Sequence, residues 1–336
     1  MSPARRRGLV RLGTVLVSAA ALVAVGITVI SGSSGGGTRV AGRAAGAQSA
    51  SAAPTSLSAK VSRGTLPVAL HGQAVAAAAG GLLVIGGESA GGSSTDRVYR
   101  FDPVSGRTVP DGSLAQPLHD AAAATVGGET LVFGGGSTST LDLVQSLKPG
   151  GVASPVGRLP DAVSDLSAVA LAGGAYVLGG FDGSSPSASV LQTASGSAFE
   201  RVARLPTPVR YTTAATLGNK IYAFGGELAD GSDTNAIQEY DIGTEHSVIA
   251  GRLASPVSHA SAVTLDGAIY LLGGRVDGAA SDRILRFDPS RNVAVPAGHL
   301  PQPVFDGAAG TYRGRGYLLG GLGADDSALD SVIELH

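Results

Sequence analysis

The sequence predicts an all-β protein: a six-bladed β-propeller with four antiparallel strands per blade, preceded by one N-terminal transmembrane helix and a flexible linker. Six short apolar runs each end in a Gly-Gly pair, beginning with Leu82-Leu83-Val84-Ile85-Gly86-Gly87. The steps between successive pairs are 48, 45, 46, 48 and 47 residues, and the first glycines are Gly86, Gly134, Gly179, Gly225, Gly273 and Gly320. Repetition at that period is typical of propellers and solenoids. The repeats show no helical periodicity, which favours strands throughout.

The N-terminal segment has the pattern of a membrane anchor. An Arg cluster within residues 1–11 precedes an uncharged, mostly apolar run over residues 12–30, and these 19 residues approach the ~20 that a helix needs to cross a bilayer. By the positive-inside rule, residues 1–11 are predicted to stay in the cytoplasm and the rest of the chain to lie outside. The alternative is a cleaved signal peptide and a secreted protein, but the long apolar run favours an uncleaved anchor. Residues 31–56 are nearly all Gly, Ser, Ala and Thr, which predicts a flexible linker.

Composition excludes several classes of function. The chain has no Cys, which rules out disulfides, thiolate metal sites and Cys nucleophiles. The formal net charge is −2, but residues 1–59 carry six Arg and no acid, which leaves 18 basic against 26 acidic residues in the remainder. The net negative charge of the chain after residue 59 argues against nucleic acid as a partner, because a phosphate backbone needs a basic surface. The sequence predicts no cofactor and no metal site.

Each repeat has the pattern of four antiparallel strands. The first is a run of small and β-branched residues, and a pair that tolerates positive φ, such as Gly173-Gly174 or Asp266-Gly267, predicts the hairpin that follows. The second strand is the apolar run, which should be buried on both faces. The third alternates in polarity, as in residues 97–101 and 283–287, and ends at Asp-Pro because Pro cannot donate to a ladder. A weak fourth strand follows near residues 108–109 and 293–295.

With these features the chain resembles the kelch repeat family across residues 57–336. The resemblance rests on the apolar runs before Gly-Gly and on a downstream aromatic residue at Phe101, Tyr240 and Phe287. The sequence departs from the family pattern because it contains no Trp, and because Leu147 and Thr193 stand near the place of the aromatic in repeats two and three. Some similar proteins are copper oxidases, whose Tyr–Cys cross-link cannot form here. Others are six-bladed sugar mutarotases, an activity that the resemblance leaves open.

The two ends of the repeat array are predicted to meet in one blade. The sixth repeat stops at its third strand, over residues 332–336, and lacks a fourth. Residues 57–66, ahead of the first repeat, match the end of a repeat such as residues 199–206. We therefore expect residues 57–66 to supply the outer strand of the last blade, which removes an open edge between the first and last blades.

Three sets of residues are predicted to converge at one end of the propeller axis, because loops after the second strands emerge on the same face as loops between repeats. The candidates for ligand binding at equal offsets from the glycine pairs are His71, Glu88, His119, Asp120, Asp165, Arg210, Tyr211, Glu227, His259, Arg275 and Asp306. They form either a polar pocket for a small ligand or simply the wet mouth of a channel, since loops are polar by default. The His residues come from different repeats without a short spacing, so they do not predict a metal site.

The sequence leaves two functions open. The first is a non-enzymatic binding or scaffold module, anchored in the cell membrane, that takes an extracytoplasmic protein or a carbohydrate on its loop face near the axis. The alternative is a carbohydrate-active enzyme resembling a sugar mutarotase or epimerase, because an Arg, His and carboxylate cluster at the axis suits acid/base work on a sugar. No catalytic residue is assigned, since no nucleophile motif stands on a strand–helix turn.

Overall fold

The computed structural model describes residues 56–336, and every regular element in that part of the chain is a β-strand. The predicted cytoplasmic segment and transmembrane helix, over residues 1–11 and 12–30, lie outside the described residues. The same holds for the predicted linker over residues 31–56, apart from its last residue. Within residues 56–336 there is no helix of the length and apolar character that a membrane span requires.

Six four-stranded antiparallel sheets form the blades of a propeller, and two short ribbons accompany them. In chain order the strands are β1 (Ala59–Thr65), β2 (Leu70–His71), β3 (Ala74–Ala78), β4 (Gly81–Ile85), β5 (Glu88–Ser89), β6 (Thr95–Asp102), β7 (Arg107–Leu118), β8 (Ala122–Val126), β9 (Glu129–Phe133), β10 (Leu143–Leu147), β11 (Ser154–Arg158), β12 (Ser164–Leu171), β13 (Gly174–Phe181), β14 (Ser189–Thr193), β15 (Glu200–Arg204), β16 (Thr213–Leu217), β17 (Lys220–Phe224), β18 (Ala236–Asp241), β19 (His246–Arg252), β20 (Ser261–Leu265), β21 (Ala268–Leu272), β22 (Arg275–Val276), β23 (Ala279–Ala280), β24 (Arg283–Asp288), β25 (Val293–His299), β26 (Ala308–Tyr312), β27 (Arg315–Leu319) and β28 (Ser331–Leu335).

The blades follow one another along the chain, so each sheet is nearly a local structure. Blade 1 pairs β3, β4, β6 and β7, blade 2 pairs β8 to β11, blade 3 pairs β12 to β15, and blade 4 pairs β16 to β19. Blade 5 pairs β20, β21, β24 and β25, and the two ribbons are β2 with β5 and β22 with β23. Blade 6 is the exception, because its order is β26, β27, β28 and then β1 from the other end of the described chain.

The strand β1 closes the propeller by pairing antiparallel with β28. Ala59 lies opposite Leu335 and Val61 lies opposite Ile333 in this pair. The segment is also tied to both neighbouring blades: Leu57 N–H donates to the carbonyl of Ala297 in blade 5 over 2.8 Å, and Thr108 of blade 1 donates through its hydroxyl to the carbonyl of Thr65 over 2.7 Å. An outer strand contributed by the opposite end of the array leaves no unpaired junction between blades 6 and 1, and it couples the stability of the two ends.

The second strand of each blade is the core of the fold. Leu82, Val84 and Ile85 of β4 are 0% exposed, and the corresponding residues of the other blades are similarly buried. Side chains on both faces of these strands pack against the next blade, and six hydrophobic clusters each join one neighbouring pair of blades. Continuous apolar runs are therefore explained by sheets that stack face to face around an axis.

Backbone turns account for the paired glycines and for one difference from the sequence prediction. Gly225 has φ of 61°, and a Cβ there would lie 2.0 Å from the Val257 carbonyl oxygen, so a loop between blades passes too close for any side chain. The hairpin of blade 3 turns at Ala172 and Gly173, both with positive φ, rather than at the predicted Gly173-Gly174. Gly174 instead starts β13 opposite Leu171.

Candidate functional site

Residues of the loops between blades meet residues that follow the glycine pairs, at one mouth of the propeller axis. In each blade the two are paired antiparallel, and the six pairs are His71–Glu88, His119–Gly136, Ser164–Phe181, Arg210–Glu227, Ser258–Arg275 and Phe305–Leu322. The structure thus brings together two of the predicted sets pairwise, blade by blade. What these residues bind is not decided by this arrangement, so ligand binding stays a prediction.

The third predicted set forms a closed ring of backbone hydrogen bonds around the axis, which we call the axial belt. It contains one residue from each blade, namely Gly72, Asp120, Asp165, Tyr211, His259 and Asp306. Each N–H donates to the carbonyl of the belt residue in the preceding blade, with N–O distances, in that order, of 3.0, 2.7, 2.9, 3.0, 3.1 and 2.9 Å. All six residues have positive φ, and Asp and His tolerate this region better than most residues. The belt fixes the mouth of the channel and turns five side chains toward it.

A cavity of about 180 Å³ lies on the axis, lined by the belt and by the first strands of the blades. The belt residues at its wall carry carboxyl, phenol and imidazole groups, whereas the first strands contribute mostly small residues. A space of this size holds on the order of ten waters. The remaining predicted residues do not line the cavity and stand on its rim: His71, Glu88, His119, Arg210, Glu227 and Arg275.

Acidic and imidazole groups alternate along one half of the rim. The Nδ1 atom of His71 lies 2.9 Å from Oδ2 of Asp306, and its Nε2 lies 3.9 Å from Glu88. Glu88 in turn lies 3.7 Å from His119, whose Nε2 is 3.8 Å from Asp120. The hydrogen bond with Asp306 raises the pKa of His71 and outweighs the effect of its partial burial. This half therefore holds an alternating row of carboxylates and imidazoles, of which His71 and Asp306 are hydrogen-bonded.

The other half of the rim is built around an arginine. Arg210 donates through Nε to Glu227 over 3.0 Å, and its Nη1 lies 3.6 Å from Asp165. Its guanidinium carbon also lies 4.6 Å from the centre of the Phe181 ring and 5.1 Å from that of Tyr211. The charge of Arg210 is thus balanced by two carboxylates, and its plane is covered by aromatic rings.

An aromatic platform continues from this arginine. The rings of Tyr211 and His259 are stacked with centroids 3.8 Å apart, and His259 meets Phe305 edge to face at 6.2 Å. Burial lowers the pKa of His259, so the stacked imidazole is neutral near pH 7. The guanidinium carbon of Arg275 lies 4.9 Å from the centre of the Phe305 ring. This side of the mouth offers flat apolar faces beside hydrogen-bonding groups.

Burial perturbs the carboxyl groups of the belt. It raises the pKa of Asp120 well above its ordinary value, and the carboxylates of Asp306 and Asp165 raise it further. It raises the pKa of Asp165 to about 6, against the opposing effects of Ser164 and Arg210. The pKa of Tyr211 is raised by the same cause, so its hydroxyl stays protonated. Carboxyls that hold a proton near neutrality both donate and accept hydrogen bonds, and such perturbed groups are frequent at functional sites.

Some residues at the mouth are absent from the predicted candidates. Phe181 and Phe305 occupy ring positions, but an aromatic residue among polar ones carries no binding signal in sequence. Ser94, whose Oγ lies 2.8 Å from Nδ1 of His119, and Asp233, whose pKa is raised by burial near Ser258, belong to loops of variable length. Because these loops differ in length between repeats, a fixed offset from the glycine pair does not identify equivalent residues in them. Among residues 56–336, no group of three or more His, Asp or Glu side chains is arranged to hold a metal ion.

Comparisons with known proteins agree with this architecture. A family model described as "Kelch motif" matches residues 256–293, which span most of blade 5 and the loop before it. A solved structure titled "Structure of YjhT" is similar with a TM-score of 0.69 and 16% sequence identity, over 80% of this chain and 96% of that chain. No curated protein matches the sequence. At that identity the structural likeness establishes the fold alone, and the motif match agrees with it: the chain is a six-bladed β-propeller with a kelch motif in its fifth blade.

Proposed function

We propose that this propeller is a binding module that holds a small, uncharged, hydroxyl-rich ligand, such as a saccharide, over the axial belt. The observation that carries the proposal is the convergence of the belt carboxyls, the phenol of Tyr211 and the imidazole of His259 on one cavity. Pockets that bind small molecules combine apolar walls with a few convergent polar groups, and the mouth has both.

The pairing of charges at the mouth favours a neutral ligand. Asp306 is engaged by His71, and Glu227 is engaged by Arg210. Asp120 is held toward its protonated form by burial, and so presents a donor as well as acceptors. Hydroxyl groups of a ligand both donate and accept, and they match such groups without leaving an unpaired charge. The Tyr211–His259 stack adds apolar ring surface beside these polar groups, which suits the C–H side of a sugar ring.

The size of the cavity fixes how such a ligand would lie. About 180 Å³ is less than the roughly 300–1,000 Å³ of typical pockets for small molecules. The ligand would therefore rest on the rim and place only one end inside the belt. The same geometry suits a protein partner whose loop tip inserts a polar side chain, which is the other form of the binding hypothesis.

Acid/base chemistry on a sugar is the second candidate function. The carboxyl of Asp165, with a pKa of about 6, and the more strongly perturbed carboxyl of Asp120 line the same cavity. A general acid or base works best when its pKa lies near the ambient pH. One carboxyl would donate a proton to the ring oxygen of a cyclic sugar while the other removes one from its anomeric hydroxyl. That step is the one by which a mutarotase opens the ring.

The cellular setting remains part of the proposal. The Arg cluster before residue 12 and the apolar run over residues 12–30 support a single-pass anchor with the N-terminus in the cytoplasm and the propeller outside. The Gly/Ser/Ala-rich segment over residues 31–56 would then tether the propeller. Its ligand would be an extracytoplasmic carbohydrate or protein.

A calorimetric titration of the full chain with a panel of saccharides tests the proposal, together with thermal melting. A ligand present at 100 times its Kd raises the free energy of unfolding by about 2.7 kcal/mol, which a melting curve resolves. Tyr211→Ala should abolish binding, whereas Arg313→Ala, on the hairpin turn at the opposite end of blade 6, should leave it intact. If no saccharide binds at millimolar concentration, the carbohydrate proposal is wrong. Exchange between anomers, followed by NMR with catalytic amounts of protein, separates the enzyme from the binding module.

A further inference from the structure

A second cavity, of about 410 Å³, lies beside blade 5 under the loop that joins it to blade 4. Its walls are mainly apolar, with Val257 from the loop, Leu271 from β21, Leu285 from β24, and Ala294 and Pro296 from β25. Its volume falls in the roughly 300–1,000 Å³ range of pockets that bind small molecules. It shares one lining residue with the axial cavity and is otherwise separate from it.

Blade 4 shows what fills the equivalent place elsewhere in the fold. There the side chain of Gln238, which is 0% exposed, spans the cleft between β18 and the preceding loop. Its Oε1 accepts from the N–H of Thr207 over 2.8 Å, and its Nε2 donates to the carbonyl of Thr207 over 3.1 Å. By strand register Gln238 corresponds to Leu285 in blade 5. Thr207 corresponds to Ser255, because each lies four residues before the belt residue that follows it.

Blade 2 closes this cleft in the same way. There Gln145 stands at the register position of Gln238, and its Oε1 accepts from the N–H of Ala115 over 2.7 Å. Blade 5 lacks such a contact, because Leu285 has no polar group and Ser255 is too short. Blade 5 therefore differs from blades 2 and 4, where a fully buried glutamine occupies the cleft.

The open cleft leaves hydrogen-bonding groups at the wall of an apolar space. Within residues 56–336, the N–H, the carbonyl and the hydroxyl of Ser255 have no hydrogen-bond partner. In blade 4 the N–H and the carbonyl of Thr207 are both bonded to Gln238. At the rim, the guanidinium of Arg283 has no carboxylate partner in the described part of the chain, whereas His299 is paired with Asp282 at 3.0 Å. Backbone groups beside an apolar cavity favour a partner, and the free cation favours an anion.

We propose that this cavity binds a small amphipathic acid, with its apolar body against the strands of blade 5 and its carboxylate at the loop. The carboxylate accepts the N–H of Ser255, as Gln238 Oε1 accepts that of Thr207 in blade 4, and it is attracted by Arg283 at the rim. A cationic amphiphile would meet Arg283 as a like charge. The site is independent of the axial belt, so it stands whether or not a saccharide binds there.

The absence of Trp from the chain gives a direct assay. Indole-3-propionate is an amphipathic acid whose emission shifts to shorter wavelength in an apolar site, and the protein contributes no indole background. With the full chain we expect a saturable shift that octanoate reverses and octylamine does not. Absence of a saturable shift, or equal displacement by octylamine, would overturn the proposal.

Two variants locate the site. Ala294→Leu fills the cavity and should weaken indole-3-propionate at least tenfold, while Ser247→Leu, which places a leucine at the equivalent position of blade 4, should leave its affinity within twofold. Arg283→Gln should weaken the acid several-fold and leave indole-3-propionamide unchanged. Thermal melting of each variant identifies any loss of binding that comes from unfolding. Equal weakening by Ala294→Leu and Ser247→Leu in folded proteins, or no effect of Arg283→Gln on the acid, would contradict the assigned site.

Discussion

Replacing Asp165 with Asn tests whether burial of the belt carboxyls has the energetic effect inferred here. The side chain of Asp165 is 5% exposed. Its pKa rises from an ordinary 3.8 to about 6 in the folded protein, chiefly because burial disfavours the charged form. The folded state therefore holds this proton more tightly than the unfolded state does. As pH rises from below 3.8 to above 6, stability falls, because the folded protein must ionise a buried group.

The size of the effect follows from the shift in pKa. A difference of roughly two pH units, at 1.36 kcal/mol per unit, makes the ionised carboxyl cost the folded state about 3 kcal/mol above pH 7. Asn has nearly the same shape and no proton to lose. The Asp165→Asn variant should therefore be more stable than the parent by up to about 3 kcal/mol at pH 8. This advantage should decline through pH 6 and vanish near pH 3.

Urea unfolding of the parent and the variant at a series of pH values measures this difference. The control is Asp182→Asn, an exposed turn residue whose carboxylate accepts hydrogen bonds from Ser184 and Ser185. Those bonds lower the pKa of Asp182 to about 2. The stability it contributes is present above the unfolded pKa and is lost as pH falls through the folded one, so this variant should be slightly less stable at pH 8. If Asp165→Asn gives no gain at pH 8, or the same gain at pH 3, burial does not control the belt carboxyl.

Two further predictions concern the architecture. Gly225→Ala should destabilise the propeller by about 2 kcal/mol or more, because the new Cβ would meet the Val257 carbonyl oxygen at 2.0 Å. Gly231→Ala, also at positive φ but with nothing within 4 Å, should cost only about 1 kcal/mol in the same urea titration. Deleting residues 57–65, which include β1, exposes the edge of β28 and should lower the melting temperature of the whole propeller in one cooperative transition followed by circular dichroism. A separate early transition of blade 6, or an unchanged midpoint, would show that closure by β1 does not couple the blades.

Most of the fold could be predicted from the sequence because its requirements are local. A second strand buried on both faces needs a continuous apolar run, and the close approach beside the axis needs glycine, so both leave a visible pattern such as that of residues 82–87. The segment that supplies the fourth strand of blade 6 could also be predicted, because residues 57–66 have the pattern of a repeat's end. The predicted turn of blade 3 was wrong by one residue, because nothing in the sequence marks Ala172 as a residue with positive φ.

The chemistry of the mouth could be predicted only in part. Counting from the glycine pairs finds which residues share a ring, but it does not find partners. His71 and Asp306 are 235 positions apart, and their contact depends on closure of the whole array. The perturbed pKa of Asp165 likewise depends on how deeply the belt lies in the channel mouth. In sequence, blade 5 differs from blade 4 by Leu285 at the position of Gln238, but Leu191 of blade 3 stands there too, so the cavity is recognised only in the structure.

The belt gives a reason to attribute its side chains to function rather than to folding. Its hydrogen bonds use backbone atoms alone, and Gly72 fills one position with no side chain, so the architecture does not require the other five. A residue other than glycine in the left-handed region costs of order 1 kcal/mol, though Asp and His bear it more readily than Tyr. Five such residues lie at one mouth, with Tyr211 among them. Glycine at these positions would avoid this loss of folding free energy. What the five side chains add is three carboxyls, a phenol and an imidazole on one cavity, which is the arrangement a ligand would use.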